Sequence, residues 1–119
     1  MIYRMKNEME IRMSLLGIIG AMEEEVIKLK EVMTEPELIK KSGMDFYKGT
    51  IEGKNVVVVK CGVGKVNAAM CTQTMIDVFN VDSIINTGIA GSLNADINIG
   101  DIVFACDAVE HDMDVAALG

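Results

Sequence analysis

Three consecutive glutamates, Glu23, Glu24 and Glu25, follow a short apolar run and a small-residue turn in the stretch LLGIIGAMEEEV. Carboxylates in such a place can take up a proton or stabilise a developing positive charge. Acidic residues are also common in the first turn of a helix, where they complement the positive end of the helix dipole. Taken alone, the local pattern favours that structural explanation for at least two of the three.

Two loops with glycines follow later apolar runs and are the other places where ligand chemistry is expected. They are GVGK at residues 62–65 and GIAGS at residues 88–92. The first does not match a dinucleotide-binding fingerprint, because Asn67 stands where that motif has its third glycine. It does not match a Walker phosphate loop either, because Val66 follows Lys65 where serine or threonine is required.

The sequence gives no indication of a metal or cofactor. Its one histidine, His111, has Asp112 and Asp114 nearby but no histidine or cysteine at a ligand spacing, so we interpret it as a polar loop residue. The three cysteines are far apart without a C-x-x-C pair, and an odd number without a secretory signal favours reduced thiols. We therefore expect a cytoplasmic protein that needs no metal or cofactor.

Length and charge limit the choice of partners. A chain of 119 residues that is 50% hydrophobic is one domain at most, with enough apolar residues for a packed core. Eleven basic and 18 acidic residues give a net charge of −7, so there is no basic stripe for nucleic acid or an anionic membrane. The apolar run at residues 15–22 is too short to span a bilayer.

Alternating strand and helix signals position the three loops. LLGIIG predicts a buried strand, and residues 23–33 place Val26, Leu29 and Met33 on one helical stripe that Pro36 is expected to end. A hairpin with its turn at residues 52–55 follows.

Residues 61–79 then repeat the order of strand, glycine turn and helix, and residues 81–93 predict a third strand that leads into the loop at 88–92. The segment GDIVFACDAV, residues 100–109, predicts a fourth buried strand. The fold class is therefore α/β, with a mostly parallel or mixed central sheet and flanking helices. Ligands are expected outside the carboxyl ends of the strands.

The ends of the chain suggest how it is organised. Residues 1–12 have mixed charges and no clear period, so we interpret them as an extension or a start-site artefact, with Met13 as an alternative start. The chain stops directly after the fourth predicted strand, which would leave part of a sheet uncovered. We expect residues 13–119 to be the N-terminal half of a domain.

Five stretches together resemble the 5′-methylthioadenosine/S-adenosylhomocysteine nucleosidases, within the purine nucleoside phosphorylase superfamily. In the family's order they are GIIGAMEEEV, VKCGVGKVNAA, IINTGIAGSL, IGDIV and HDMDVAALG. The resemblance runs from about Leu15 to Gly119 and implies a partial nucleoside phosphorylase-like fold whose C-terminal half is absent. It also implies hydrolysis of both nucleosides to adenine and a thioribose product, as in methionine salvage.

The resemblance also assigns roles to residues in the loops. Glu25 matches the carboxylate that activates the hydrolytic water at the anomeric carbon, while Glu23 and Glu24 keep their structural explanation. Ile89 stands where family members often have serine or threonine, so any hydroxyl contact there is lost. The residues that match the substrate pocket are Met22 at the ribose, Val63 at the 5′-alkylthio group, and Ile89, Ala90 and Gly91 along the base and ribose.

The resemblance extends to the reaction type and to a partner subunit. Phosphorylase relatives bind phosphate with a loop that contains arginine near this position, whereas this chain has glutamates, which favours water over phosphate. In the family, the segment that matches residues 114–119 reaches across a homodimer interface. Val115 and Leu118 are therefore candidates for lining a partner's site, or for ordinary core or interface packing.

The family's ribose-binding glutamate, its arginine near the water and the aspartate that protonates the purine have no counterpart in this sequence. Losing general acid catalysis alone costs ~10² to 10⁴ in rate, so we expect this chain by itself to be inactive or nearly so. Two alternatives remain open. One is a non-catalytic fragment that retains only dimer-type association, and the other is a nucleosidase for futalosine or 5′-deoxyadenosine.

Overall fold

The computed structural model describes residues 14–118, and the predictions for residues 1–12 and for Met13 lie outside that range. A five-stranded mixed sheet carries one helix on each face. The strands are β1 (Leu15–Gly20), β2 (Thr34–Lys41), β3 (Met44–Ile51), β4 (Lys54–Lys60) and β5 (Ser83–Asn86). The helices are α1 (Glu23–Glu31) and α2 (Lys65–Thr74), a π-helical stretch over Met75–Phe79 that continues α2, and a 3-10 turn at Ala116–Leu118.

The sheet has the strand order β2-β3-β4-β1-β5. Strand β1 lies between β4 and β5 and is parallel to both, whereas β2, β3 and β4 form an antiparallel meander. The prediction of an α/β fold with a mixed central sheet and flanking helices is confirmed. Because β4, β1 and β5 run in the same direction, their carboxyl ends lie side by side at one end of the sheet.

Strand β4 is the centre of the core. Val56 and Val58 face α1, while Val57 and Val59 face α2, and all four are almost completely buried. Burial on both faces explains why β4 has a continuous apolar run instead of an alternating pattern. On the α1 side, Val26 is fully buried, Leu29 is partly buried and Met33 is buried, as the helical stripe predicted.

The hairpin between β3 and β4 has its turn at Glu52 and Gly53, within the predicted range. Both residues have positive φ angles, 49° and 76°, which is the backbone geometry that suits the twist of paired strands. Glycine adopts this conformation without steric cost, so Gly53 suits the second position of the turn.

Pro36 does not end the first helix, contrary to the prediction. Helix α1 ends at Glu31, and Pro36 lies in edge strand β2, where the pairing with β3 shifts between Thr34 and Glu37. A bulge in an edge strand tolerates proline, because no ladder hydrogen bond is needed from its nitrogen. Strand β2 was not predicted, because nearly all of its side chains are exposed and its sequence therefore carries no apolar alternation.

The predicted fourth strand at residues 100–109 is wrong. These residues are exposed and non-strand, and within residues 14–118 no strand pairs with them. A segment without a neighbouring strand cannot pair its backbone groups in a sheet, so its apolar sequence alone does not make it a strand.

The chain divides into two compact units, the first ending at Ile89 and the second beginning at Ala90. No helix in the described part of the chain is long and apolar enough to cross a membrane.

Candidate active site

The three loops singled out in the sequence, before α1, at residues 62–65 and at residues 88–92, begin at the carboxyl ends of β1, β4 and β5. The amide of Cys61, directly after β4, donates to the carbonyl oxygen of Gly20 at 2.9 Å. The amide of Thr87, directly after β5, donates to the carbonyl oxygen of Ile19 at 2.9 Å. These two bonds continue the parallel pairing past the strand ends and hold the starts of the loops beside the end of β1.

The Glu25 carboxylate lies at these strand ends and accepts three backbone hydrogen bonds. Oε2 accepts from the amides of Ala21 and Met22 at 2.7 and 2.9 Å, and Oε1 accepts from the amide of Ile89 at 3.1 Å. The first two donors belong to the turn before α1, while the third belongs to the loop after β5. Glu25 therefore joins two loops that are 64 residues apart in sequence.

These hydrogen bonds also set the charge of the site. The bond from the amide of Met22, followed by that from Ile89, lowers the pKa of the Glu25 carboxyl from its ordinary value, and partial burial offsets this only in part. Hydrogen bonds to the ionised form favour it, so Glu25 is a carboxylate at neutral pH. The Cys61 thiol has a raised pKa, chiefly from burial and also from the negative charge of Glu25.

The three glutamates have three different environments. Glu23 forms an ion pair with Lys30 at 2.8 Å and lies 3.9 Å from the Lys60 ammonium, so it packs along α1 and β4. Glu24 is exposed at the start of the helix. Only Glu25 turns back to the strand ends. Its predicted role at the anomeric carbon stays a prediction.

Apolar side chains stand exposed on the same loops. Met22 is 40% exposed, Val63 is 71% exposed and Ile89 is 83% exposed. The loop that carries Val63 is held by Asn67, whose side-chain amide donates to the Val63 carbonyl oxygen at 2.7 Å. From the sequence, Asn67 was interpreted only as the residue that breaks the dinucleotide fingerprint. An asparagine four residues after a loop position can donate to the carbonyl oxygen at that position, so its place in the sequence was a usable signal for this hydrogen bond.

The remaining predicted residues belong to the second unit. Ala90, Gly91 and Val115 are exposed there, and Leu118 ends the 3-10 turn, with its side chain outside the described part of the structure. The roles of these four residues as pocket or partner-site residues stay predictions.

A cavity of about 210 Å³ lies elsewhere, on the antiparallel part of the sheet. Its lining includes Thr34, Lys48 and Asn55, and Asn55 pairs with Leu15 at the amino end of β1, opposite to Glu25. None of the predicted site residues lines this cavity. Within residues 14–118, no group of three or more His, Cys, Asp or Glu side chains is placed to hold a metal ion.

Comparison with known proteins identifies the family of this chain. The model of the phosphorylase superfamily matches residues 15–119. A 5′-methylthioadenosine/S-adenosylhomocysteine nucleosidase from Staphylococcus carnosus is 48% identical over 105 residues, which are 88% of this chain and 46% of that protein. The chain thus spans about half the length of the curated relatives that it matches.

Solved structures give the same result. A nucleosidase of this kind from Colwellia psychrerythraea, in complex with adenine, superposes with a TM-score of 0.87 at 44% identity, covering 91% of this chain and 45% of that one. Futalosine hydrolase of Helicobacter pylori superposes with a TM-score of 0.81 at 36% identity, covering 89% and 46%. The chain belongs to the phosphorylase superfamily, and within it resembles the methylthioadenosine/S-adenosylhomocysteine nucleosidases.

Proposed function

We propose that this chain supplies the water-activating part of a nucleosidase site that hydrolyses 5′-methylthioadenosine and S-adenosylhomocysteine, releasing adenine. The main support is the setting of Glu25, an ionised carboxylate held by three backbone donors where the ends of β1 and β5 meet. The similarity to nucleosidases supports the substrate class. Other residues of the site then come from beyond this chain or from a second chain.

The geometry of Glu25 suits a hydrolytic step. Two carboxylate oxygens offer about four acceptor positions, and three of them are occupied by backbone amides, which leaves about one for a water molecule. That water attacks the anomeric carbon as the bond to the purine nitrogen breaks, and Glu25 takes a proton from it. The electron pair of the broken bond leaves with the purine, which needs a proton from a separate acid.

The charge of Glu25 contributes in a second way. Cleavage of an N-glycosidic bond builds positive charge on the ribosyl ring, and a fixed carboxylate stabilises that charge in the transition state. The three backbone donors lower the basicity of Glu25 but fix its position, so the same carboxylate can stabilise that charge as well as activate the water. The same negative charge repels a phosphate dianion, which supports hydrolysis over phosphorolysis.

Apolar residues around Glu25 support a nucleoside with an apolar 5′ substituent. Met22, Val63 and Ile89 expose their side chains on the loops that flank the carboxylate, where a ligand of low polarity would cover them. We place Met22 at the ribose, Val63 at the 5′-alkylthio group, and Ile89, Ala90 and Gly91 at the base and ribose. Ile89 then contributes its backbone amide to Glu25 and no side-chain hydroxyl.

We further propose that the protein acts as a cytoplasmic homodimer in which Val115 and Leu118 line the partner's site. The support is the resemblance of residues 114–119 to the family's interface segment. A substitution of Val115 by aspartate is expected to weaken dimerisation, measured by analytical ultracentrifugation, without altering the fold of the first unit. An unchanged dimer would contradict this assignment.

The reaction type is tested in a hybrid enzyme. Residues 15–119 replace the 105 matched residues of the Staphylococcus carnosus nucleosidase, and the products formed from methylthioadenosine in phosphate buffer are identified by mass spectrometry. We expect adenine and free methylthioribose. Formation of methylthioribose 1-phosphate would contradict hydrolysis.

Futalosine is a second candidate substrate, favoured by the similarity to the Helicobacter pylori futalosine hydrolase. The chemistry at the anomeric carbon would be the same, and Glu25 would have the same role. Comparing kcat/KM for methylthioadenosine and futalosine in the hybrid enzyme distinguishes the two substrates.

A further inference from the structure

Gly88 lies in the loop after β5, directly before the residue whose amide binds Glu25. Thr87 fixes the start of this loop through its bond to the Ile19 carbonyl oxygen, so the backbone of Gly88 cannot move away freely from β1. The space that a side chain at position 88 would occupy is filled by the Glu25 carboxylate. A Cβ atom there would lie 2.6 Å from Oε1 and 3.1 Å from the carboxyl carbon.

A Cβ contact under 3.0 Å is essentially never found in proteins, so the 2.6 Å contact means that a methyl group at position 88 and the observed carboxylate position exclude each other. The φ angle of Gly88 is not in the left-handed region, so the requirement for glycine here is one of space and not of backbone conformation. Gly20 restricts the other end of the same side chain, because a Cβ there would lie 3.1 Å from the Glu25 Cβ. The Glu25 side chain thus packs closely against Gly20, the last residue of β1, and Gly88, two residues after the end of β5.

We propose that Gly88 is a positioning residue for Glu25: the missing side chain provides the space in which the carboxylate lies and lets the Ile89 amide reach Oε1. This inference deepens the proposed function, because the oriented carboxylate is the group that would activate water. Neither the composition of the loop nor the resemblance to the nucleosidases assigns this role to Gly88.

An alanine at position 88 is expected to displace the carboxylate and leave the fold intact. The atom that must move is the far end of a flexible side chain, whereas no backbone atom is in the way. In Gly88→Ala, Glu25 keeps its donors at Ala21 and Met22 and loses the one at Ile89. Since that donor stabilises the ionised form, the pKa of Glu25 should rise toward its ordinary value.

The test is an NMR titration of the 119-residue chain, which follows the Glu25 carboxyl carbon and the Ile89 amide proton. In the wild type, the Ile89 amide should shift with the ionisation of Glu25. In Gly88→Ala, that amide shift should disappear and the pKa of Glu25 should be higher. The matched control is Gly91→Ala in the same loop, where an added Cβ meets no described atom within 4 Å and the pKa of Glu25 should not change.

A thermodynamic cycle keeps the inference testable if Gly88→Ala is poorly folded. The melting temperature is measured for the wild type, Gly88→Ala, Glu25→Ala and the double variant. The alanine at position 88 should lower the melting temperature when Glu25 is present and should not do so in the Glu25→Ala background, where its Cβ meets no carboxylate.

Equal effects of Gly88→Ala in both backgrounds, or an unchanged Glu25 titration in a folded Gly88→Ala variant, would overturn the positioning role. A wild-type Ile89 amide that does not respond to Glu25 would also overturn it. None of these measurements depends on catalysis, so they separate a failure of this inference from a failure of the proposed hydrolase function.

Discussion

Replacing Phe46 by alanine is expected to be much more costly than the same change at Phe104, although Phe104 lies in the more apolar stretch of the sequence. Phe46 is fully buried in β3, and its ring lies 4.8 Å from the Phe79 ring, centroid to centroid, at an angle of 35°. Phe104 is 91% exposed in the segment that was predicted as a fourth strand. The two substitutions thus compare core and surface directly.

The cost at Phe46 follows from the loss of packing. Truncating a buried phenylalanine to alanine lowers the free energy of unfolding by about 3 to 5 kcal/mol. An aromatic pair contributes ~0.5 to 1.5 kcal/mol beyond buried area, so the contact with Phe79 keeps Phe46→Ala above the lower end of that range, at about 4 kcal/mol. An exposed side chain such as Phe104 contributes within about 0.5 kcal/mol.

Urea unfolding followed by far-UV circular dichroism measures both costs. With a slope of about 2 kcal/mol per molar urea, the Phe46→Ala midpoint should fall by about 2 M. The Phe104→Ala midpoint should stay within about 0.3 M of the wild type on the same slope. A large shift for Phe104→Ala would refute the exposed, unpaired description of residues 100–109, and a small shift for Phe46→Ala would refute the assignment of the core.

Two further predictions concern titration and thiol reactivity. Because the pKa of Glu25 is lower in the folded chain than in the unfolded one, Glu25 stabilises the fold above its unfolded pKa, and this contribution is lost as the pH falls through its folded pKa. Glu25→Gln should therefore flatten the dependence of the urea midpoint on pH in that acidic range. An unchanged dependence would contradict the hydrogen-bonded carboxylate. Cys106 is exposed whereas the other two cysteines are buried, and burial, with a smaller effect of Cys61, raises the pKa of the Cys71 thiol to about 12. A thiol reagent at neutral pH should therefore label one cysteine rapidly in the native chain and three in denaturant. Rapid labelling of all three cysteines in the native chain would contradict the packing.

Periodicity predicted the buried elements well, because their sequences carry the signal of the core. The run at β1, the stripe on α1 and the β3–β4 turn all correspond to residues that pack or bend as expected. Strand β2 was missed because an exposed edge strand has no apolar period. Residues 100–109 were predicted wrongly because an apolar run predicts a strand only where a neighbouring strand is available to pair with it.

The candidate site was predictable in part. The family resemblance singled out Glu25, and the structure places it where the ends of β1 and β5 meet. Its three donors are backbone amides, so only the bond from Met22, which a glutamate at the third position of a helix commonly accepts, has a signal in the sequence. The space at Gly88 is likewise a property of the packed fold, since the contact joins residues that are 63 positions apart.

The most direct test of the assigned role of Glu25 compares two adjacent glutamates in the hybrid nucleosidase. Glu25→Gln and Glu24→Gln remove the same charge from the same helical turn, but only Glu25 contacts both loops. With adenine release from methylthioadenosine as the assay, Glu25→Gln should lower kcat by ~10² or more, while Glu24→Gln should leave it unchanged. A folded Glu25→Gln enzyme that releases adenine at the rate of its parent would contradict the assignment of Glu25 as the carboxylate that activates water.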